Sequence, residues 1–203
     1  MNLHRHEPFA TLERQREADR LGMALFLASE TMLFGAVILG LLALRSFDPA
    51  GFAQTSARLS LPTGAANTAL LLTSSLLVAL AAAAQARDEV RRTALCLLLA
   101  ILLGAAFLAV KALEYRSEYA EGLMPGFGAP LPRDARLFAD AYFIATGLHA
   151  LHVIVGLGLL GTMAWRLRGD DPPGETTLGN VGLYWHLVDA VWVFLFPILY
   201  LSR

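Results

Sequence analysis

Hydrophobic residues in this chain fall into five long runs, separated by short segments rich in charged residues, proline and glycine. Each run reaches about 20 residues, the length that an α-helix needs to cross a hydrocarbon layer of roughly 30 Å. The pattern therefore predicts an all-α fold, a polytopic membrane helical bundle with five transmembrane helices. The predicted spans cover residues 21–44, 63–84, 93–115, 139–165 and 181–201.

The segments outside the runs predict no separate soluble domain. Residues 1–20 contain arginines among acidic residues and are expected to form a polar N-terminal segment, partly helical, ahead of a single domain over residues 21–203. The longest connection, residues 117–136, contains three prolines and three glycines. These residues favour turns, so we expect a loop that caps one face of the bundle.

Composition supports a membrane protein and excludes a nucleic-acid-binding one. The chain is 56% hydrophobic and 16% charged, with a mean hydropathy of +0.54, whereas soluble domains are roughly 25% charged. A net charge of -1 leaves no excess of cations to attract phosphates. The single cysteine, Cys96, lies in a hydrophobic run and has no second cysteine in the chain to pair with.

The distribution of arginines predicts how the helices are oriented. With five spans, nine arginines lie outside the runs on the side of the N-terminus and six on the opposite side. Cytoplasmic loops of membrane proteins carry an excess of Lys and Arg. The N-terminus is therefore expected in the cytoplasm and the C-terminus outside.

Ionisable side chains inside the spans are the candidate functional residues. They are Glu30, Lys111, Glu114, His149, His152, His186 and Asp189. Three pairs share the spacing i,i+3, which puts both side chains on one helix face: Lys111–Glu114, His149–His152 and His186–Asp189. A charge at the bilayer centre costs roughly 2.5–3.5 kcal/mol on insertion scales, so these groups are expected to contact one another.

Depth along the helices, at about 1.5 Å per residue, predicts two groups. The first is an intramembrane polar cluster in which Glu114 contacts a histidine across spans three and four: Lys111, Glu114, His149 and His152. The second combines residues at similar depth on the cytoplasmic side: Glu30, His186 and Asp189.

Several roles fit these groups. The first cluster could join two helices by buried hydrogen bonds, hold a metal or haem, or take part in proton or quinone chemistry. Glu30 could be a neutral acid bonded to a neighbouring helix, or a site that responds to protons or lipid headgroups. The chain offers no nucleophile with a base and an oxyanion donor, no phosphate loop and no closed metal shell. No catalytic, cofactor-binding or metal-binding residue is therefore assigned.

Several segments resemble subunit III of the haem–copper respiratory oxidases, in the same order along the chain. They are Gly-Met-Ala-Leu-Phe-Leu-Ala-Ser-Glu-Thr-Met-Leu-Phe at 22–34, Asn-Thr-Ala-Leu-Leu-Leu-Thr-Ser-Ser at 67–75, Glu114-Tyr115, Thr-Gly-Leu-His-Ala-Leu-His-Val-Ile-Val-Gly at 146–156 and Tyr-Trp-His-Leu-Val-Asp-Ala-Val-Trp-Val-Phe-Leu-Phe at 184–196. The chain looks like the short five-span bacterial type, which lacks the first two helices of the longer members. Glu30 matches the carbodiimide-reactive glutamate of that family.

The resemblance implies an accessory subunit without a redox centre of its own. Such a subunit packs on catalytic subunit I, beside subunit II and other oxidase subunits, in the bacterial plasma (inner) membrane. The haems and copper belong to the partner subunits, and bound phospholipid is expected in this one. The family role is to organise lipid, to support proton uptake and to protect the oxidase during turnover.

Three rival interpretations remain open from sequence. The family includes quinol oxidases and a subunit that accompanies nitric oxide reductase. A haem-b or quinone-binding membrane anchor would use histidines of spans four and five as ligands. A small transporter would use Glu30 and Lys111–Glu114 as a relay, although no inverted repeat is apparent.

Overall fold

The computed structural model describes residues 11–120, 133–169 and 173–202, and these residues form helices joined by short turns. The helices are α1 Leu12–Phe47, α2 Pro49–Ser56, α3 Leu61–Gln85, α4 Val90–Ala120, α5 Arg133–Arg166 and α6 Glu175–Tyr200. Five of them are long and hydrophobic enough to cross a membrane. The prediction of an all-α membrane bundle with five spans is confirmed.

The helices are longer than the hydrophobic runs that predict them. α1 begins at Leu12, where the Thr11 side chain accepts a hydrogen bond from the Arg14 N–H, so residues 12–20 of the predicted polar segment are helical. α4 continues to Ala120 and α5 begins at Arg133, which shortens the predicted loop at both ends. Residues 121–132, the centre of that loop, lie outside the described residues. The hydrogen bonds of a helix are made by the backbone and do not need hydrophobic side chains, so a helix can continue past the hydrophobic run that predicts it.

The short helix α2 is absent from the predicted elements. The Asp48 side chain caps it by accepting a hydrogen bond from the Gly51 N–H at 3.0 Å, and Pro49 stands at its first position. Both features favour a helix start. At its other end, the Ser56 hydroxyl donates to the carbonyl of Leu199 at 2.6 Å. α2 therefore lies folded against the bundle.

Helix α6 is the centre of the bundle. It packs against α3, α5 and α1, while α4 packs against α3 and α5. Half of the most hydrophobic stretch of α6 is buried, against 11% for α1. The helix therefore supplies much of the core, including the fully buried Trp185 and Trp192.

Two glycines, one on α4 and one on α5, make room for the Trp185 side chain of α6. A Cβ added at Gly156 would lie 2.6 Å from the Trp185 ring, and one at Gly104 would lie 2.9 Å from it. Small residues at such positions let membrane helices approach closely. The indole N–H of Trp185 donates to the Ser74 hydroxyl at 3.1 Å, which in turn donates to the carbonyl of Ala100 at 3.0 Å. The Trp185 side chain therefore takes part both in the closest helix packing and in a hydrogen-bond chain to α3 and α4.

Candidate functional site: polar residues between the membrane helices

Lys111 on α4 holds three helices together. Its side chain is buried, at 3% exposure, and Nζ donates to Glu114 Oε2 at 3.0 Å, to the Tyr142 hydroxyl of α5 at 2.9 Å and to the Tyr200 hydroxyl of α6 at 3.0 Å. An ammonium has three N–H groups to donate. All three are therefore used.

The partners of Lys111 are themselves hydrogen-bonded. Tyr200 donates to Glu114 Oε1 at 2.6 Å, and Tyr142 donates to Glu118 Oε1 at 2.7 Å. We call these five residues the lysine network: Lys111, Glu114, Glu118, Tyr142 and Tyr200. Because a buried charge is tolerated when it is paired and hydrogen-bonded, the network explains how a lysine can be buried in the bundle.

Aromatic rings surround the same ammonium. Lys111 Nζ lies 5.0 to 5.7 Å from the centroids of four rings, those of Tyr115, Tyr142, Trp192 and Tyr200. At that distance the negative ring faces attract a cation. The carboxylate, the hydroxyl groups and the ring faces around Lys111 therefore all stabilise its positive charge.

Glu30 on α1 pairs with His152 on α5. Glu30 Oε2 lies 2.9 Å from His152 Nε2, and the two side chains are 16% and 14% exposed. On the other side of the ring, Nδ1 donates to the Leu148 carbonyl at 2.8 Å. A carbonyl only accepts, so Nδ1 carries a hydrogen. The contact at Nε2 then contains one shared proton, either on the imidazole or on the carboxyl group.

Aromatic contacts fix the orientation of that pair. The Phe34 ring packs edge-on against the His152 ring with centroids 4.9 Å apart. The Tyr184 hydroxyl of α6 donates to the His152 carbonyl at 3.2 Å. Residues from α1, α5 and α6 therefore meet at this point.

His149 is placed differently from the prediction, because it does not contact Glu114. Its ring is fully buried, packs against Phe107 and Trp192 with centroids 5.6 and 5.2 Å away, and has no hydrogen-bond partner among the described residues. Both oxygens of Glu114 are taken by Lys111 and Tyr200. The spacing i,i+3 also turns the two histidines by about 60°, so His152 reaches α1 while His149 packs against α4 and α6.

The second predicted group is also divided. His186 Nδ1 lies 2.6 Å from the Ser75 hydroxyl of α3, whereas Glu30 bonds α5. Asp189 is 3% exposed and lies close to the same Ser75 hydroxyl, and its oxygens have no hydrogen bond to any other residue in the described chain. Equal depth along the helices predicts a contact between Glu30 and Asp189. However, the side of α6 that carries His186 faces α3, whereas Glu30 faces α5.

Sequence reasoning missed three members of the lysine network. Glu118 carries a usable signal, since Lys111, Glu114 and Glu118 repeat at i, i+3 and i+7 and thus share one helix face. Tyr142 and Tyr200 carry none that sequence alone reveals. Their roles depend on which helices are neighbours.

Comparison with known proteins identifies the family. The family model for cytochrome c oxidase subunit III matches residues 11–202. The chain belongs to the cytochrome c oxidase subunit III family. Membership makes it a subunit III of the haem–copper oxidase type and implies association with other oxidase subunits.

Individual relatives agree with this assignment. Cytochrome c oxidase subunit 3 of Alkalihalophilus pseudofirmus is 34% identical, over 97% of this chain and 91% of the relative. The protein of the same name in Thermostichus vulcanus is 32% identical, over 89% of this chain and 86% of the relative. The heme-copper oxidase subunit I+III of Aeropyrum pernix is 32% identical over 97% of this chain, which spans only 23% of that longer protein.

Proposed function

We propose that this chain is a cofactor-free accessory subunit of a terminal haem–copper oxidase in aerobic respiration. It packs directly on catalytic subunit I and lies beside subunit II and other oxidase subunits, which hold the haems and copper. The observation that carries the proposal is the Aeropyrum pernix relative, whose name gives subunits I and III as one protein. In that protein the two subunits are covalently linked in one chain. The corresponding separate chains are therefore expected to pack together.

Within that complex, we assign the lysine network a structural role. It ties α4, α5 and α6 at one end of the bundle through Lys111, Tyr142 and Tyr200. The Glu30–His152 pair ties α1 to α5. A subunit whose lysine network and Glu30–His152 pair are bound within the bundle presents a stable hydrophobic surface to a partner and to lipid.

We assign the Glu30–His152 pair a further role in proton uptake and turnover stability. The pair holds one proton between two groups that can each carry it. Its side chains are largely but not completely buried, at 14% exposure for His152 and 16% for Glu30. A proton-accepting pair at such a position can respond to the protonation state and lipid composition around the oxidase.

We also propose the orientation given by the arginines, with the N-terminus in the cytoplasm of a bacterial cell and the C-terminus outside. This orientation puts the turn between α2 and α3, together with the lysine network, at the outer side of the membrane. Organisation of phospholipid around the complex is part of the same proposal.

Glu30→Gln in the intact oxidase tests the proton role. The amide keeps the size of the side chain and a hydrogen-bonding group for His152 but removes the shared proton. Reconstituted oxidase should keep this subunit, while proton uptake slows or inactivation during turnover becomes faster.

The matched control is Ser29→Ala, because the Ser29 hydroxyl donates to the Phe26 carbonyl of its own helix at 2.7 Å. It should behave as wild type. Two results would refute the division between a structural network and a proton-responsive pair. One is proton uptake and inactivation in Glu30→Gln that equal those of wild type, and the other is loss of the subunit from that variant.

A further inference from the structure

Several polar side chains on the outer surface of the spans are satisfied by their own helix. Four hydroxyl groups each donate to a backbone carbonyl three or four residues earlier, those of Ser29, Thr31, Thr73 and Thr162. Such a hydroxyl can face lipid, because its hydrogen bond does not depend on the surroundings of the helix. These side chains therefore give no indication of a partner.

His186 on α6 is different, because one of its two ring nitrogens has no partner. Nδ1 lies 2.6 Å from the Ser75 hydroxyl of α3, and either atom can be the donor in that contact. The side chain is half-buried, and Nε2 reaches the surface without a hydrogen-bond partner among the described residues. In a neutral imidazole Nε2 either donates or accepts a hydrogen bond, depending on the tautomer. In both cases its capacity is unused within the chain.

Both members of this contact lie deep in the hydrophobic layer. His186 is 11 residues after the first residue of α6, and Ser75 is 10 residues before the last residue of α3. At about 1.5 Å per residue, each lies about 15–17 Å from the same end of the bundle. α6 has 26 residues, so it is about 9 Å longer than a hydrocarbon layer of roughly 30 Å. With this excess divided between the two ends, His186 lies about 12 Å below the headgroups.

Lipid cannot satisfy Nε2 at this depth. Acyl chains have no hydrogen-bonding group, and an unsatisfied polar group in hydrocarbon is costly. Lys and Arg can extend their long side chains to the headgroups, but an imidazole on one methylene group is too short to do so. The remaining partner is a polar side chain on another membrane helix, because such side chains join helices through hydrogen bonds.

The residues around His186 form a surface against which a helix can pack. Leu183 and Ala190 lie one turn before and one turn after it on α6, and Leu72 and Leu76 lie beside Ser75 on α3. These four hydrophobic side chains are exposed. We call the surface the α3–α6 face, and it consists of Leu72, Ser75, Leu76, Leu183, His186 and Ala190. It is hydrophobic except for the Ser75–His186 contact at its centre.

We infer that the α3–α6 face packs on the catalytic subunit I, and that His186 Nε2 hydrogen-bonds a hydroxyl or amide side chain of the subunit I helix that covers it. The choice of subunit I rests on the proposed function. The inference adds the face of this chain that meets subunit I and the atom that makes the polar contact. His186 thus joins two subunits, with Nδ1 bonded inside this chain and Nε2 bonded to the partner.

Photo-crosslinking in native membranes tests which surface meets subunit I. A benzophenone-bearing residue is introduced at Leu183, which is 51% exposed, or at Leu102 on α4, which is 56% exposed and lies outside the face. The probe at Leu183 should crosslink to subunit I, and the probe at Leu102 should not. A product of Leu183 with lipid alone, with another subunit or with a second copy of this chain would overturn the inference.

Substitutions separate the contact of Nε2 from the contact of Nδ1. His186→Leu removes both, whereas Ser75→Ala removes only the one inside the chain and is the matched control. His186→Leu should weaken binding of this chain to subunit I by about 3-fold to 15-fold, the range expected for one hydrogen bond between membrane helices. Ser75→Ala should stay close to wild type, and His186→Gln, which keeps a hydrogen-bonding group, should recover part of the loss. Native mass spectrometry of the purified complex over a dilution series measures the retained fraction.

Two outcomes of this series would contradict the inference. Wild-type retention in His186→Leu would mean that Nε2 does not contact subunit I, and equal losses in His186→Leu and Ser75→Ala would assign the effect to packing inside the chain. If His186→Leu does not accumulate, the crosslinks at Leu183 and Leu102 decide the question. Subunit I that co-purifies with this chain but does not crosslink at Leu183 would refute the α3–α6 face alone. Purification without subunit I would refute the proposed function as well.

Discussion

At the scale of single residues, Lys111 is the side chain with the largest expected effect on stability. Its ammonium is buried and makes three hydrogen bonds to three helices. Breaking a buried ion pair by removing one partner costs about 3–5 kcal/mol, because the remaining charge stays buried and uncompensated. Replacing both partners by hydrophobic residues can be neutral or better.

Lys111→Met should therefore destabilise the subunit strongly, by about 3–5 kcal/mol, and the double variant Lys111→Met, Glu114→Leu should recover part of that loss. The temperature at which this subunit leaves the purified complex measures both effects. Arg92→Gln serves as the control because the Arg92–Glu89 pair has the same spacing but lies at the surface, with Arg92 72% exposed. Surface pairs contribute about 0–1 kcal/mol. A double variant as unstable as the sum of its single variants would contradict the network.

At the scale of helices, close packing around Trp185 decides how α4, α5 and α6 meet. Gly156 and Gly104 leave no room for a Cβ beside its ring. Gly158, two residues further along α5, has no atom within 4 Å of the position a Cβ would occupy. Two glycines of one helix therefore differ in their surroundings while sharing their intrinsic helix propensity.

Gly156→Ala should destabilise the bundle by about 1–3 kcal/mol, the usual cost of overpacking a tight core. Gly158→Ala should be neutral or stabilising by about 0.5–1 kcal/mol, because alanine favours the helix. Thermal unfolding of the two variants, followed by circular dichroism, compares them directly. Equal stability of the two variants would mean that contact with Trp185 does not limit the approach of α5 and α6.

Sequence predicts the elements of this protein better than it predicts their contacts. The five spans follow from hydrophobic length, and the i,i+3 spacing correctly joins Lys111 to Glu114. Contacts between helices depend on which helices are neighbours, and periodicity carries no such information. Depth alone therefore groups Glu30 with Asp189 rather than with His152, and no sequence signal points to Tyr142 or Tyr200. The pattern does not predict α2, because a short helix that begins with a proline resembles a turn in sequence.

At the scale of the whole molecule, orientation fixes which leaflet meets each polar site. Nine arginines on one side against six on the other predict a cytoplasmic N-terminus. In a background of Cys96→Ala, a cysteine at Arg168 should be labelled by a membrane-impermeant maleimide only after the cytoplasmic side is opened. A cysteine at Arg116 should be labelled in intact cells. The reverse pattern would invert the orientation and move the lysine network to the inner side.

The whole molecule also presents wide hydrophobic surfaces, which a membrane complex can cover with lipid or partner helices. α1 is the least buried span and is held by the Glu30–His152 pair, while α6 is buried at the centre. Contacts among its own helices therefore hold the subunit together, and we propose that it acts through the subunits and lipids around it.

The most direct test of that account is purification of the complex from native membranes through a tag on this chain, followed by absorption spectroscopy before and after the subunits are separated. We predict that the complex contains the catalytic subunit I and shows its haem absorption, and that the separated chain shows no Soret band. A Soret band on the separated chain, or purification without a catalytic subunit, would contradict the central claim that this chain is a cofactor-free partner of the oxidase.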